Sequence, residues 1–349
     1  MNRLLRTGRP LARGDAPSMT LPVLIVGSGA LASFFAARLA ATDASVTMLG
    51  GWPEGVAALQ TRGVCLVDAN GGERCFPVRV TADPSSCRPA SHALVLVKSW
   101  QTARAAEQLA ACLAADGIAL TLQNGWGNRE TLQAQLGMAR VAAGVTTLGA
   151  TLLGPGRVRA GGDGPVALPP DERLTPLRDL LRLAGFETRA SADVDGLLWS
   201  KVVINAAINP LTALLRVPNG ELLVRPDARA LLAQAALEAA AAGRAQGFTL
   251  TSDDPVQAAE DVARRTAANH SSMFQDMLRG APTEIDAICG AVVEAGEQTG
   301  VLTPVNRTLW RLVRAAVNGD RLSVISNQTG TDTDHVSRVT KHENSHHTR

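Results

Sequence analysis

LPVLIVGSGALASFFAARLA, residues 21–40, decides the fold. Val23 to Val26 form an apolar run of strand length, and a glycine-rich turn leads from it into a helical pattern that starts at Ala30. In that turn Gly27 permits a tight reversal, Gly29 lets a ligand approach the backbone, and Ala32 is small enough for close packing of helix on strand. The loop Gly27, Ser28, Gly29, Ala30 and Leu31 would then present the unpaired N–H groups of a helix N-terminus to a pyrophosphate. A strand, this turn and a helix in that order predict a dinucleotide-binding turn.

Outward from this unit the chain alternates. SVTML (45–49), ALVLV (93–97) and IALTL (118–122) read as strands, with helical runs from Thr102 and Asn128, the alternation of βαβ units around a parallel sheet. Residues 62–81 read instead as a hairpin about Asn70-Gly71-Gly72, expected at the edge of that sheet. Strand signals at 141–151 and 158–168, a helix near 175–184 and a strand at 186–190 close the first half. From Asp193 to Val317 the pattern is helical, with expected breaks at Pro210, Pro218 to Gly220, Gly247, Gly280 to Pro282 and Gly300 to Pro304.

The fold class that follows is an α/β Rossmann-type dinucleotide-binding domain over 21–191 and an all-α C-terminal domain over 192–318. The polar run 319–349 has too little apolar surface to offset its ordering entropy and is expected to be unstructured. Residues 1–20 carry Arg3, Arg6, Arg9 and Arg13 against Asp15, a balance found in transit peptides, but they read better as an unstructured extension with Met19 as a second start.

Composition narrows the function. A length of 349 residues suits two domains. With 34 basic and 32 acidic side chains the net charge is +2, without the concentrated positive field that nucleic acid or an anionic membrane requires, so a small-molecule partner is expected. No window approaches about 20 consecutive apolar residues, which predicts a soluble protein. Five scattered cysteines without a CxxC pair speak against a disulfide framework or thiolate metal site and for a reducing, cytoplasmic setting. Four of six histidines crowd the C-terminus, leaving His92 and His270 inside the chain, so no metal is expected. The apolar helical half suits either a monomer's core or a homodimer interface.

Polar residues then stand out by position. Ligands bind beyond the carboxyl ends of strands in open α/β sheets, where ALVLV runs into Lys98 and IALTL into Gln123-Asn124-Gly125. A solvated lysine and a turn-forming asparagine are the simpler accounts of the two. In LLWSKVVINAAINPLTALL, Lys201, Asn205 and Asn209 recur every four residues and share one helix face. Desolvation biases a lysine among apolar neighbours toward a lowered pKa, suiting it to donate a proton, unless it snorkels to solvent. Thr283 with Asp286 resembles a capping box that would put Glu284 in a first helical turn. The second strand ends in Gly50-Gly51-Trp52, with neither the acid of an NAD site nor the arginine of an NADP site.

Taken in order, GSGALA, LVKSWQT, LQNGWGN, GVTTLGATLLGPGRV, LLWSKVVINAAINPLTALL, NGELL and SSMFQDMLRGAPTEID resemble the ketopantoate reductase family over about residues 21 to 317. The resemblance implies NADPH-dependent reduction of 2-dehydropantoate, a 2-keto acid, to (R)-pantoate in pantothenate synthesis. It implies Lys201 as general acid, Glu284 as the group that orients substrate beside it, and Asn124, Asn205, Asn209 and Ser272 as substrate contacts. Lys98, Asn124 and Glu284 would also face the cofactor. Gly50 and Gly51 stand where such proteins usually carry a basic residue, so the residues themselves do not decide between NADPH and NADH. Another 2-keto acid could be reduced by the same apparatus. A non-catalytic NADP(H)-binding regulator would be expected to lack Lys201 or Glu284, and both are present.

Overall fold

The computed structural model describes residues 21–42, 44–162 and 164–329, with side chains to residue 317. The expected extension at 1–20 and the end of the tail, 330–349, lie outside the described residues.

In chain order the first half comprises β1 (Val23–Val26), α1 (Ala30–Ala40), β2 (Val46–Leu49), α2 (Pro53–Arg62), β3 (Val64–Val67), β4 (Glu73–Phe76), β5 (Arg79–Thr81), β6 (Ala90–Val95), α3 (Thr102–Cys112), β7 (Leu113–Thr121) and α4 (Asn128–Leu136). It continues with β8 (Val141–Ala143), β9 (Val145–Thr146), β10 (Gly149–Gly154), β11 (Arg157–Gly162), β12 (Val166–Leu168), α5 (Thr175–Leu183) and β13 (Thr188–Ala190). The main sheet runs β5-β2-β1-β6-β7-β8, parallel throughout. Val23 to Val26 are all buried because the sheet is covered on both faces. Helix α1 contributes Phe34, Phe35 and Leu39 to one face, and α3 and α4 contribute Leu109, Leu132 and Leu136 to the other. Strand order reverses between β1 and β6, so a crevice opens at their carboxyl ends.

The hairpin forms about Asn70 to Gly72 but does not extend the main sheet. β3 and β4 join β10 and β11 in a separate four-stranded sheet, and β5 takes the main sheet's edge. The hairpin also corrects the cysteine reading: Cys65 and Cys75 sit directly opposite one another on β3 and β4 and form a disulfide, while Cys87, Cys112 and Cys289 are free. Counting cysteines along the chain could not register a pair brought face to face by strand register. Among the described residues Cys65, Cys75 and Glu73 are the one cluster with metal-ligand spacing, and two of the three are in that disulfide. His92 is engaged with the Arg173 carbonyl at 2.8 Å, and His270 packs on Phe274.

The second half comprises α6 (Val194–Leu215), α7 (Glu221–Val224), α8 (Pro226–Ala245), α9 (Pro255–Arg265), α10 (Ser272–Leu278), a π-helical turn (Asp286–Gly290), α11 (Ala291–Thr299) and α12 (Pro304–Thr329). Helix α12 passes residue 318, so the first part of the run expected to be unstructured is helical. The expected break at Pro210 does not occur, and α6 runs through it. Proline removes the N–H that would bond the Ala206 carbonyl, and the Cys289 thiol lies 4.0 Å from that oxygen. By length and composition α6 could cross a membrane, contrary to the sequence reading, yet 67 % of its most apolar window is buried among its neighbours as a core helix.

The packing of α6 is anchored by Trp199, whose Nε1 donates to the Ala239 carbonyl at 2.9 Å and whose ring stacks on Phe248. A Cβ at Gly243 would overlap this indole. Alanine normally stabilises a helix interior over glycine by about 1 kcal/mol. Gly243→Ala should reverse that sign and destabilise by about 1–3 kcal/mol through overpacking, measured by urea unfolding; a stabilised variant would contradict this packing.

Candidate active site

The crevice between β1 and β6 is lined by the glycine turn. Gly27 has φ +130, and a Cβ there would meet the Leu96 carbonyl oxygen at 3.1 Å, so the tight reversal requires glycine. Gly29, at the N-cap of α1, is exposed with nothing within 4 Å of where its Cβ would be. No side chain caps α1, so its first N–H groups remain available, with Ala30 and Leu31 half-buried beside them. Ser28 is buried, and a Cβ at Gly50 would lie 2.7 Å from its Cβ and Oγ. Contact between the first loop and the end of β2 thus explains the glycine at position 50. An open, uncapped helix N-terminus behind a close-packed turn fits the pyrophosphate of a dinucleotide.

The helical half closes over this crevice. Gly125, with φ +85, has no room for a Cβ beside Ala287, and the Trp126 N–H donates 2.8 Å to the Ala287 carbonyl. Trp126 itself packs edge-on against Trp199, 5.3 Å between ring centroids. Arg129 on α4 forms a two-pronged pair with Asp195 on α6, at 2.6 and 3.2 Å.

Glu284 lies at the centre of this junction and is 4 % exposed. It stands in a bend just before the helical run begins at Ile285, not in a first helical turn. The capping box does not form, since Asp286 accepts from Trp310 Nε1 at 2.7 Å instead of reaching back. The Glu284 carboxylate is held from the other domain. Oε1 accepts from the Ser99 N–H at 3.1 Å, and Oε2 accepts from Asn124 Nδ2 at 3.2 Å with Lys98 Nζ 3.7 Å away.

Two lysines lie near it, and their surroundings shift them in opposite directions. Burial alone would lower the Lys98 ammonium, but the Glu284 and Asp276 carboxylates outweigh it and hold Lys98 above the ordinary lysine value. Asp276, itself buried, accepts from Lys98 at 2.6 Å and from Arg279 at 2.8 Å. Lys201 donates to the Thr146 carbonyl at 2.6 Å, and burial draws its pKa down to about 8, with Glu284 pulling only partly back.

Asn205 is half-buried and Asn209 buried on the same helix as Lys201. Neither side-chain amide is among the hydrogen-bonded groups of the described residues, whereas the neighbouring Thr212 hydroxyl bonds the Ile208 and Asn209 carbonyls and Ser271. Ser271 caps α10 through the Phe274 N–H, leaving Ser272 half-buried with no such task. Sequence reasoning passed over Asp276, Thr146 and Ser271. It also passed over a usable signal: only three of the 34 basic residues are lysines, Lys98, Lys201 and Lys341, and two of them meet here.

Known proteins share both halves. The family profile described as ketopantoate reductase PanE/ApbA matches residues 23–172, and that described as ketopantoate reductase PanE/ApbA C terminal matches residues 193–317. The 2-dehydropantoate 2-reductase of Halobacterium salinarum is 37 % identical over 300 residues, 84 % of this chain and 98 % of that one. Among solved structures, a PanE/ApbA family ketopantoate reductase from Ralstonia eutropha JMP134 superposes with TM-score 0.81 at 32 % identity, covering 86 % of this chain and 99 % of that one. D-mandelate dehydrogenase in a ternary complex with NADH and anilino(oxo)acetate gives TM-score 0.78 at 25 % identity, covering 85 % and 99 %. With both halves matched in order and over nearly the full length of these relatives, the chain belongs to the ketopantoate reductase family of oxidoreductases.

Proposed function

We propose that the protein reduces 2-dehydropantoate to (R)-pantoate with NADPH, a step of pantothenate synthesis. The observation that carries this reading is the half-buried Lys201, drawn down to about 8 by desolvation, on a helix face that also offers the unengaged amides of Asn205 and Asn209. A bound nicotinamide supplies the hydride to the ketone carbon. Lys201 gives its Nζ proton to the developing alkoxide oxygen, becomes the neutral amine and regains a proton from solvent. Glu284 keeps the ammonium in reach of the ketone while Asn124 and Ser99 hold Glu284. Asn205, Asn209 and Ser272 bind the substrate's hydroxyl and carboxylate ends, and fixing both partners lowers the orientational cost of the step. Gly27 to Leu31 and Lys98 hold the dinucleotide.

A second reading, reduction of a different 2-keto acid, is favoured by the likeness to D-mandelate dehydrogenase bound to a 2-oxo acid analogue. Oxidation of NADPH and NADH with 2-dehydropantoate and a panel of 2-keto acids separates the two. Fastest turnover with 2-dehydropantoate and NADPH is expected; no turnover of 2-dehydropantoate would overturn the first reading.

For Lys201→Ala the rate should fall by roughly 10²–10⁴. In the wild type, reduction should decline as pH rises through about 8, because only protonated Lys201 can donate. A flat profile from pH 7 to 10 would remove Lys201 from the proton transfer.

The same shift destabilises the fold at neutral pH. The folded pKa lies below that of the unfolded chain, so between about pH 8 and 10 the unfolded form binds the extra proton and stability rises with pH. Lys201→Met should therefore lose activity as Lys201→Ala does yet be more stable at pH 7 by about 1–3 kcal/mol, as measured by urea denaturation; a loss of stability would contradict this electrostatic picture.

A further inference from the structure

The carboxyl end of β2 is where a dinucleotide-binding domain meets the adenosine ribose. Here it carries Gly50 and Gly51, yet a cation stands at that place, brought by another element. Arg104, exposed in the first turn of α3, lays its guanidinium against Gly51: a Cβ there would lie 3.4 Å from Nη2 and 3.6 Å from both Cζ and Nη1. Three nearly equal distances mean that the flat face of the guanidinium covers the glycine, leaving its N–H edge free to donate sideways. At these separations the guanidinium rests in van der Waals contact on the glycine.

Among the described residues Arg104 also has no competing partner. Arg129, Arg157, Arg173, Arg229 and Arg279 are each paired with a carboxylate, but among the described residues Arg104 enters no ion pair, even with Glu107 one turn along the same helix. An unpaired guanidinium beside the ribose end of an uncapped phosphate-binding turn suits a dianionic phosphate, which it can grip with two N–H groups.

We infer that Arg104 reads the 2′-phosphate of NADPH, doing from α3 what a basic residue directly after β2 would otherwise do. This rests on the cofactor choice proposed above and names the residue responsible for it.

The test is calorimetric binding to the full-length protein, wild type, Arg104→Gln and Arg104→Lys. The probes are NADPH, NADH, and the pair 2′,5′-ADP and 5′-AMP, which differ only by the 2′-phosphate. In Arg104→Gln, NADPH and 2′,5′-ADP should bind roughly 10-fold or more weaker, with NADH and 5′-AMP within about twofold of wild type, and Arg104→Lys should recover part of the loss. The unfolding midpoint of Arg104→Gln should equal that of wild type, since the side chain is exposed. An Arg104→Gln protein that keeps the wild-type preference for NADPH would overturn the inference and leave the cofactor reading standing. A wild type that binds NADH as tightly as NADPH would overturn both.

Discussion

A buried carboxylate that pairs with one lysine and acts on a second only through its field holds this structure to its purpose. Glu284 is buried where the halves of the chain meet, and an ionised group there is tolerated only if it is fully paired. Its partners come from the dinucleotide-binding half, Ser99 and Asn124 as donors and Lys98 as counter-charge. Lys201 approaches from the helical half. Lys98 has a second carboxylate, Asp276, and stays a cation; Lys201, bonded among the described residues to the Thr146 carbonyl alone, is drawn toward neutrality by burial. Environments that push two like groups apart give them different tasks, one electrostatic and one in proton transfer.

Such a division requires exact placement of α6 against the sheet. That placement is built from contacts unrelated to charge: Trp126 against Trp199, the Trp126 N–H on the Ala287 carbonyl, and the close approach of Gly125 to Ala287. The π-helical turn that supplies Ala287 begins two residues after Glu284, so the bond that docks the β7–α4 loop also fixes the carboxylate beside Asn124. Irregular helical turns often mark functional positions, and here the irregularity joins the two halves.

Local features were legible in the chain. The strand, glycine turn and helix at 21–40 depend on residues within a few positions of each other, and the spacing of Lys201, Asn205 and Asn209 put them on one helix face. What escaped depends on distant partners. Gly50 owes its identity to Ser28, Pro210 is accommodated beside Cys289, and Cys65 meets Cys75 only through strand register. Asp276 carries no local signal, and only the fold brings it to Lys98. Arg104, an exposed helical arginine by pattern, gains meaning from its contact with Gly51.

With three lysines in the chain, their charge states can be read one by one. Carbon-13 labelling at lysine Cε, with signals assigned through Lys98→Arg and Lys201→Arg, gives each ammonium its own titration curve. The account predicts that the Lys201 signal titrates near pH 8 and that of Lys98 above the ordinary lysine value. A Lys201 that titrates at or above the ordinary lysine value would contradict it.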